Sequence, residues 1–401
     1  MSLAERVFIV LFTAAVMSTR AQDATLRHSR ANNAFGLSLF SELRLTRQDQ
    51  NVFFSPASVS IALGLLYTGA RDKTLSELAS VLGLADAGLV DRNAVLSAYK
   101  SLVDVESPNA TLDIASTVLI KQSAKILDQY KCDAAWYFHA QVRSVDFLRD
   151  GSKVAAEINE WVSGKTKGKI PRLLGGALPG NTVAYLINAV YFRELGSPCS
   201  EPAKRSRCPL TPGRDEVKVP TMSVRRTFSY AYLEAIGASA LAIPYAGDRF
   251  SMIIVLPSSR TGLPNVEHLL TVEVLEKLAN DLVGQDVIVL LPKFNLETDY
   301  DLVSSLRKLG LESAFDSTAD LSGISLANDL MVSDAKHKAM IEVNEEGTVA
   351  AGVTSVRVKQ KHSARSLPRP PTTFHVDHPF LFFIWDSEHK RALFMGAITK
   401  L

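Results

Sequence analysis

The chain has 401 residues, 44 lysines and arginines against 42 aspartates and glutamates, and a formal net charge of +2. That balance argues against a protein built around nucleic acid, and 47% hydrophobic residues over this length suffice for one large buried core. No repeat, linker or low-complexity block divides the sequence, so a single domain is expected, monomeric and with neither nucleic acid nor membrane as partner.

Residues 1–21 read as a leader: Arg6, an apolar stretch from Val7 to Met17, then small residues including Thr19 and Ala21. The apolar part is too short to span a bilayer, which predicts a domain of residues 22–401 that is secreted and extracellular. Phe35, Leu39, Phe40 and Leu43 share one helical face, and Thr74 with Glu77 has capping-box spacing before Leu78. Asn109-Ala110-Thr111 is a glycosylation sequon with Asn109 as acceptor. Cys132 lies in a helical stretch, LDQYKCDAAWYF, and is expected to be a buried small hydrophobe. A further helix should hold Ile158, Trp161 and Val162. Cys199 and Cys208 are close enough in sequence to close a local disulfide in an oxidising compartment. The basic runs Lys165, Lys167, Lys169, Arg172 and Lys204, Arg205, Arg207 read as solvated surface.

Strand signals dominate the second half: Phe250 to Leu256, Val287 to Leu291, and Phe380 to Trp385 paired across a turn with Leu393 to Ile398. These runs lack strict alternation and should be buried on both faces. A helix through Leu302, Leu306 and Leu309 stops at Gly310. Helices early and strands late give an α+β class. From Ile341 to Ser366 the sequence IEVNEEGTVAAGVTSVRVKQKHSARS reads as a loop able to become a strand. One register collects Thr348, Ala350, Gly352, Thr354, Val356 and Val358; the other carries Ala351, Val353, Ser355, Arg357, Lys359 and Lys361. Side chains alternate in a strand, so the first set could be buried while the cations stay wet. The sequence has no nucleophile elbow, Walker loop, dinucleotide fingerprint or metal-ligand spacing, so neither an enzyme nor a cofactor is expected.

The blocks Asn51-Val52-Phe53-Phe54-Ser55-Pro56-Ala57-Ser58, Tyr67-Thr68-Gly69-Ala70, Ile158-Asn159-Glu160-Trp161-Val162, Asn188-Ala189-Val190-Tyr191-Phe192 and Leu291-Pro292-Lys293-Phe294 occur in this order. They are followed by His337-Lys338-Ala339, Glu345-Glu346-Gly347-Thr348, His378-Pro379-Phe380 and Leu393-Phe394-Met395-Gly396. In that ordered set the chain resembles the serpin family. The resemblance implies three β-sheets, roughly nine helices and an exposed reactive-centre loop over about residues 345–377. It implies a hinge of Glu345, Glu346, Gly347, Thr348, Ala350, Ala351 and Gly352, and a polar shutter of Ser55, Ser58, Asn188 and His337 where the central sheet parts. A neutral imidazole donates through one nitrogen and accepts through the other, which suits such a bridge.

The resemblance further implies that a protease attacks the loop, forms an acyl-enzyme and is carried across the molecule as the cut loop inserts. Compact inward hinge residues favour an inhibitor; the alternative is a non-inhibitory carrier or binding protein. Two residues depart from the family pattern: Val349 replaces a common Glu, and Gly196 stands where a Trp is usual, with Cys199 and Cys208 in customary aromatic positions. For the reactive bond, counting forward from Gly347 by the family's usual interval reaches Lys361-His362. Counting back from His378 favours Arg365-Ser366, whose Arg365-Ser366-Leu367 resembles an antithrombin-type site. Arg369 is disfavoured by Pro370. Either cation implies a trypsin-like serine protease as partner. Glycosaminoglycan binding should be weak, since the segment Asp91 to Glu106, matching the heparin-binding helix of antithrombin, carries only Arg92 and Lys100 as cations.

Overall fold

The computed structural model describes residues 3–104, 110–194, 201–208, 217–327, 329–344 and 370–400. The helices among them are α1 (Leu3–Thr46), α2 (Pro56–Gly69), α3 (Asp72–Val81), α4 (Arg92–Val103), α5 (Asp128–Phe138), α6 (Phe147–Lys165), α7 (Leu263–Leu269), α8 (Val272–Asn280) and α9 (Val303–Lys308). The strands are β1 (Val52–Phe54), β2 (Ala110–Lys121), β3 (Gln141–Val145), β4 (Ala184–Glu194), β5 (Glu201–Cys208), β6 (Val217–Leu233) and β7 (Ala238–Pro244). They continue as β8 (Phe250–Pro257), β9 (Val283–Pro292), β10 (Phe294–Asp301), β11 (Val332–Val343), β12 (Thr372–His375), β13 (Phe380–Asp386) and β14 (Arg391–Ile398).

Hydrogen bonding joins these strands into two sheets. Five strands run in the order β10-β11-β4-β2-β3; nine form the second sheet, β1-β14-β13-β8-β7-β6-β9-β12 with β5 against β6. What the resemblance counts as second and third sheets is continuous here because β6, 17 residues long, pairs with β5 near its start and with β7 from Ser229 to Leu233. Within the smaller sheet β11 lies parallel to β4, whereas β10 on one side and β2 on the other are antiparallel to their neighbours. The parallel pair forms a seam, its bonds slanted and slightly weaker per residue than antiparallel ones.

Burial explains the sequence patterns. Every residue of α2 is buried, so an apolar helix with no polar face, PASVSIALGLLYTG, forms the centre of the core. Strands β13 and β14 are likewise buried at every position, as the unbroken apolar runs predict. Phe35, Leu39, Phe40 and Leu43 point inward from α1. That helix runs without interruption through residue 21, where the leader boundary was expected. Helix α6 covers the outer face of the five-stranded sheet, its Ile158 and Val162 packing in one apolar cluster with Tyr185, Ile187 and Met340.

Two local expectations are corrected. The spacing of Thr74 and Glu77 is not a capping box, because α3 begins at Asp72 with Arg71 as its uncapped N-cap. The Ser313 hydroxyl and the amides of Glu312 and Ser313 instead donate to Glu77, at 2.8, 3.0 and 2.8 Å, while Thr74 Oγ1 lies 3.0 Å from Ser313 Oγ. The pair therefore clamps a distant turn onto α3. Cys132 is exposed rather than buried: Tyr130, Ala134 and Phe138 form the inward stripe of α5, which turns Cys132 and Trp136 outward.

Candidate functional site

The seam between β4 and β11 is held at mid-height by a buried polar network. Asn188 and His337 are direct partners across it. Ser55 sits at the N-cap of α2 because its hydroxyl accepts from the Ser58 amide at 3.1 Å, and the same hydroxyl donates to the Leu393 carbonyl at 2.6 Å. The Ser55 amide, which can only donate, lies 3.2 Å from His337 Nε2. Nε2 is thus the acceptor and the proton sits on Nδ1, which donates to Asn188 Oδ1 at 2.7 Å. Ser58 Oγ donates to the same oxygen at 2.6 Å. The Asn188 amide donates to the Ser58 carbonyl at 3.0 Å and to Ser116 Oγ at 2.9 Å.

The imidazole is neutral for a physical reason. His337 is wholly buried, and burial lowers its pKa to about 3. Its ring stacks near Tyr300, with centroids 6.4 Å apart. A proton on Nε2 would set two donors head to head and break the bond to Ser55. The network joins α2, β2, β4, β11 and β14 through side chains far apart in sequence, and it holds the two seam strands in register. Each partner in it is a hydrogen-bonding group already matched to another.

The structure thus brings Ser55, Ser58, Asn188 and His337 together. Sequence reasoning missed Ser116, which is opposite Asn188 in the β2–β4 pairing; no motif marks it. The hinge from Glu345 to Gly352, both reactive-bond candidates (Lys361-His362 and Arg365-Ser366), Asn109, Gly196, Val349 and Cys199 lie outside the described residues. Cys208 closes β5. Arg92 and Lys100, the cations considered for glycosaminoglycan, are engaged with Asp133 at 2.9 Å and Asp104 at 3.2 Å. At the top of the seam, Lys169 reaches Glu342 of β11 at 2.7 Å.

Residues 30–401 match the family model described as serpin (serine protease inhibitor). The chain belongs to the serpin family. It is 38% identical over 380 residues to Iripin-2 of Ixodes ricinus, covering 93% of both chains. It is 36% identical over 375 residues to intracellular coagulation inhibitor 2 of Tachypleus tridentatus, covering 92% of this chain and 90% of that one. Among solved structures, Serpin48 of Tenebrio molitor superposes with a TM-score of 0.79 at 30% identity, covering 93% of this serpin and 98% of Serpin48.

The family is one of protease inhibitors rather than catalysts. One expectation falls with these matches. The extracellular location read from the N-terminal residues does not stand, because two relatives, each 36% identical to this serpin, are named intracellular coagulation inhibitors. Among the described residues no helix is long and apolar enough to cross a membrane.

Proposed function

We propose that this serpin is a suicide substrate of trypsin-like serine proteases: it is cut after Arg365, and the segment beginning at Thr348 then enters the seam between β4 and β11. The observation that carries this reading is the seam itself. Two parallel strands of 11 and 12 residues, joined on their inner side by one polar network, border on each other. A new strand entering between them runs antiparallel to both, replacing slanted ladders by antiparallel ones.

Register supports the same reading. On β11 the buried residues Ala335, His337, Ala339, Ile341 and Val343 face the core, and the loop offers Thr348, Ala350, Gly352, Thr354 and Val356 on its matching face. Insertion gains backbone hydrogen bonds and buries these small side chains, so the acyl-enzyme is displaced before water reaches the ester. A basic residue at the cut bond matches the buried carboxylate at the base of a trypsin-like specificity pocket.

Thr348→Arg tests the mechanism, since an unpaired charge would have to be buried under the closing sheet. The variant should be cut at an undiminished rate while forming little covalent complex with the protease on a denaturing gel. Complex yield equal to that of the wild type would refute insertion. The assignment of the bond is checked separately: Arg365→Ala should abolish complex formation, and Lys361→Ala should leave it intact.

A further inference from the structure

The ladder between β4 and β11 is uneven along its length. At the top its last pair is Met340 opposite Tyr191, so Ile341 to Val343 of β11 and Phe192 to Glu194 of β4 lie beyond it. From there consecutive pairs run down to Asp334 opposite Tyr185. The next pair is Val332 opposite Ala184, so β11 carries one residue more than β4 at this point, and Ser333 is a bulge. Bulges are uncommon in parallel pairs, and they re-aim a side chain or end a ladder. The bulge also explains why the alternation of buried and half-buried positions along β11 breaks at Ser333 and Asp334.

The side chain that the bulge re-aims crosses the seam. The amide of Val183, the residue next below Ala184, donates to Ser333 Oγ at 3.0 Å. The Val183 carbonyl accepts from the Lys121 amide at 2.9 Å, which ties the same residue to the end of β2. Lys121 then reaches over to the chain that leads into β11: its Nζ lies 2.5 Å from Asp329 Oδ2 and donates to the Asp329 carbonyl at 3.2 Å. Lys121 and Val183 belong to the β2–β4 side of the seam and Ser333 and Asp329 to the β11 side, so both contacts bridge its foot. They differ in kind from the network at mid-height. The contact to Asp329 is exposed and the one to Ser333 only partly buried, so water can take the place of either partner as soon as they separate.

We infer that Ser333, with Lys121 and Asp329, is a releasable clasp at the foot of the seam: it holds β4 and β11 closed in the uncut protein and is the last contact to part when a strand enters. The inference rests on the insertion reading above and adds to it where the motion ends. A strand entering from the unpaired upper end separates Met340 from Tyr191 first and meets the bulge last. The pairs above the bulge form one continuous ladder; the foot, out of step with it by one residue, opens as a separate unit. These are positioning residues, since their contacts are with one another across the seam.

The experiment compares Ser333→Ala and Lys121→Met with the wild type, each uncut and cut in the loop, with the cut position fixed by mass. Amide exchange is followed on peptides covering the foot, 183–185, and the upper ladder, 189–191, alongside the midpoint of thermal unfolding. In the uncut proteins exchange at the foot should quicken about fivefold in Ser333→Ala and about twofold in Lys121→Met. The upper ladder should be unaffected and the midpoint should fall. In the cut proteins neither substitution should alter exchange at the foot or the midpoint, because the clasp has already parted. Unchanged exchange at the foot of both uncut variants would overturn the clasp. So would an equal rise at the upper ladder, or an equal fall of the midpoint in cut and uncut protein, either of which would mark the contacts as ordinary packing. A cut wild type that melts at the uncut temperature is read before any variant is compared; it would overturn insertion itself, and the clasp as its final step.

Discussion

Asn188→Ala is the substitution that asks most of the seam. The amide takes part in four hydrogen bonds: it accepts from Ser58 Oγ and His337 Nδ1 at 2.6 and 2.7 Å and donates to the Ser58 carbonyl and Ser116 Oγ at 3.0 and 2.9 Å. At about 1 kcal/mol net for each bond the loss is about 4 kcal/mol. Stranding the buried Ser58 hydroxyl and His337 N–H adds to that, while a water entering the space left by the amide recovers part of it. A loss of about 3–5 kcal/mol is therefore expected. Ser116→Ala removes a single one of these bonds and should cost about 1 kcal/mol. The midpoint of the first urea transition, followed by tryptophan fluorescence, gives both values in one series. An Asn188→Ala protein as stable as Ser116→Ala, or within about 1 kcal/mol of the wild type, would refute the claim that this network holds β4 to β11.

Acid should weaken the fold through His28 and His337, both fully buried and both lowered from 6.5 to about 3, His337 by burial and His28 by burial and then by Arg391. The unfolded chain takes up these protons near pH 6.5 and the native one only near pH 3. Stability should thus fall as pH drops through that window, by about 1.4 kcal/mol per unit for each histidine. Urea midpoints at pH 7.5 and 5.5 check this: His337→Gln should show a shallower loss, and an unchanged midpoint in the wild type would contradict it. Gly396→Ala would place a Cβ 2.3 Å from Cε1 of the buried Phe382 ring, so a loss of about 1–3 kcal/mol is expected. Gly164→Ala in α6, with open space around the added methyl, should be neutral or stabilising by up to about 1 kcal/mol; thermal midpoints of the two variants moving in the same direction would count against the packing described.

Fold class and the apolar strands were legible because each leaves a local trace: the unbroken apolar runs of β13 and β14 announce burial on both faces. Ser55, Ser58, Asn188 and His337 were legible only through the family resemblance of the blocks that contain them, since nothing local to those residues says that they meet. Ser116 leaves no such trace: a serine within IASTV becomes special only when β2 places it opposite Asn188. Thr74 and Glu77 have the spacing of a cap, but spacing does not say where the helix begins. A start at Asp72 sends Thr74 into the core and Glu77 toward Ser313. Cys132 misled through composition, since helix period rather than residue type decides which face of α5 is buried. Location was misjudged for a different reason: an apolar N-terminal stretch is compatible with several fates, and relatives named as intracellular inhibitors argue against the one chosen.

Trapping of the protease by the cut loop is the decisive event of the proposed mechanism, and one measurement reaches it directly. The serpin is incubated with a panel of trypsin-like serine proteases, run on a denaturing gel, and the released C-terminal peptide is weighed. The expected result is a band at the summed mass of serpin and protease that survives denaturant, together with a peptide beginning at Ser366. Complete cleavage with no such band against any member of the panel, or a trapped complex releasing a peptide that begins elsewhere, would contradict the mechanism in the first case and the assigned bond in the second.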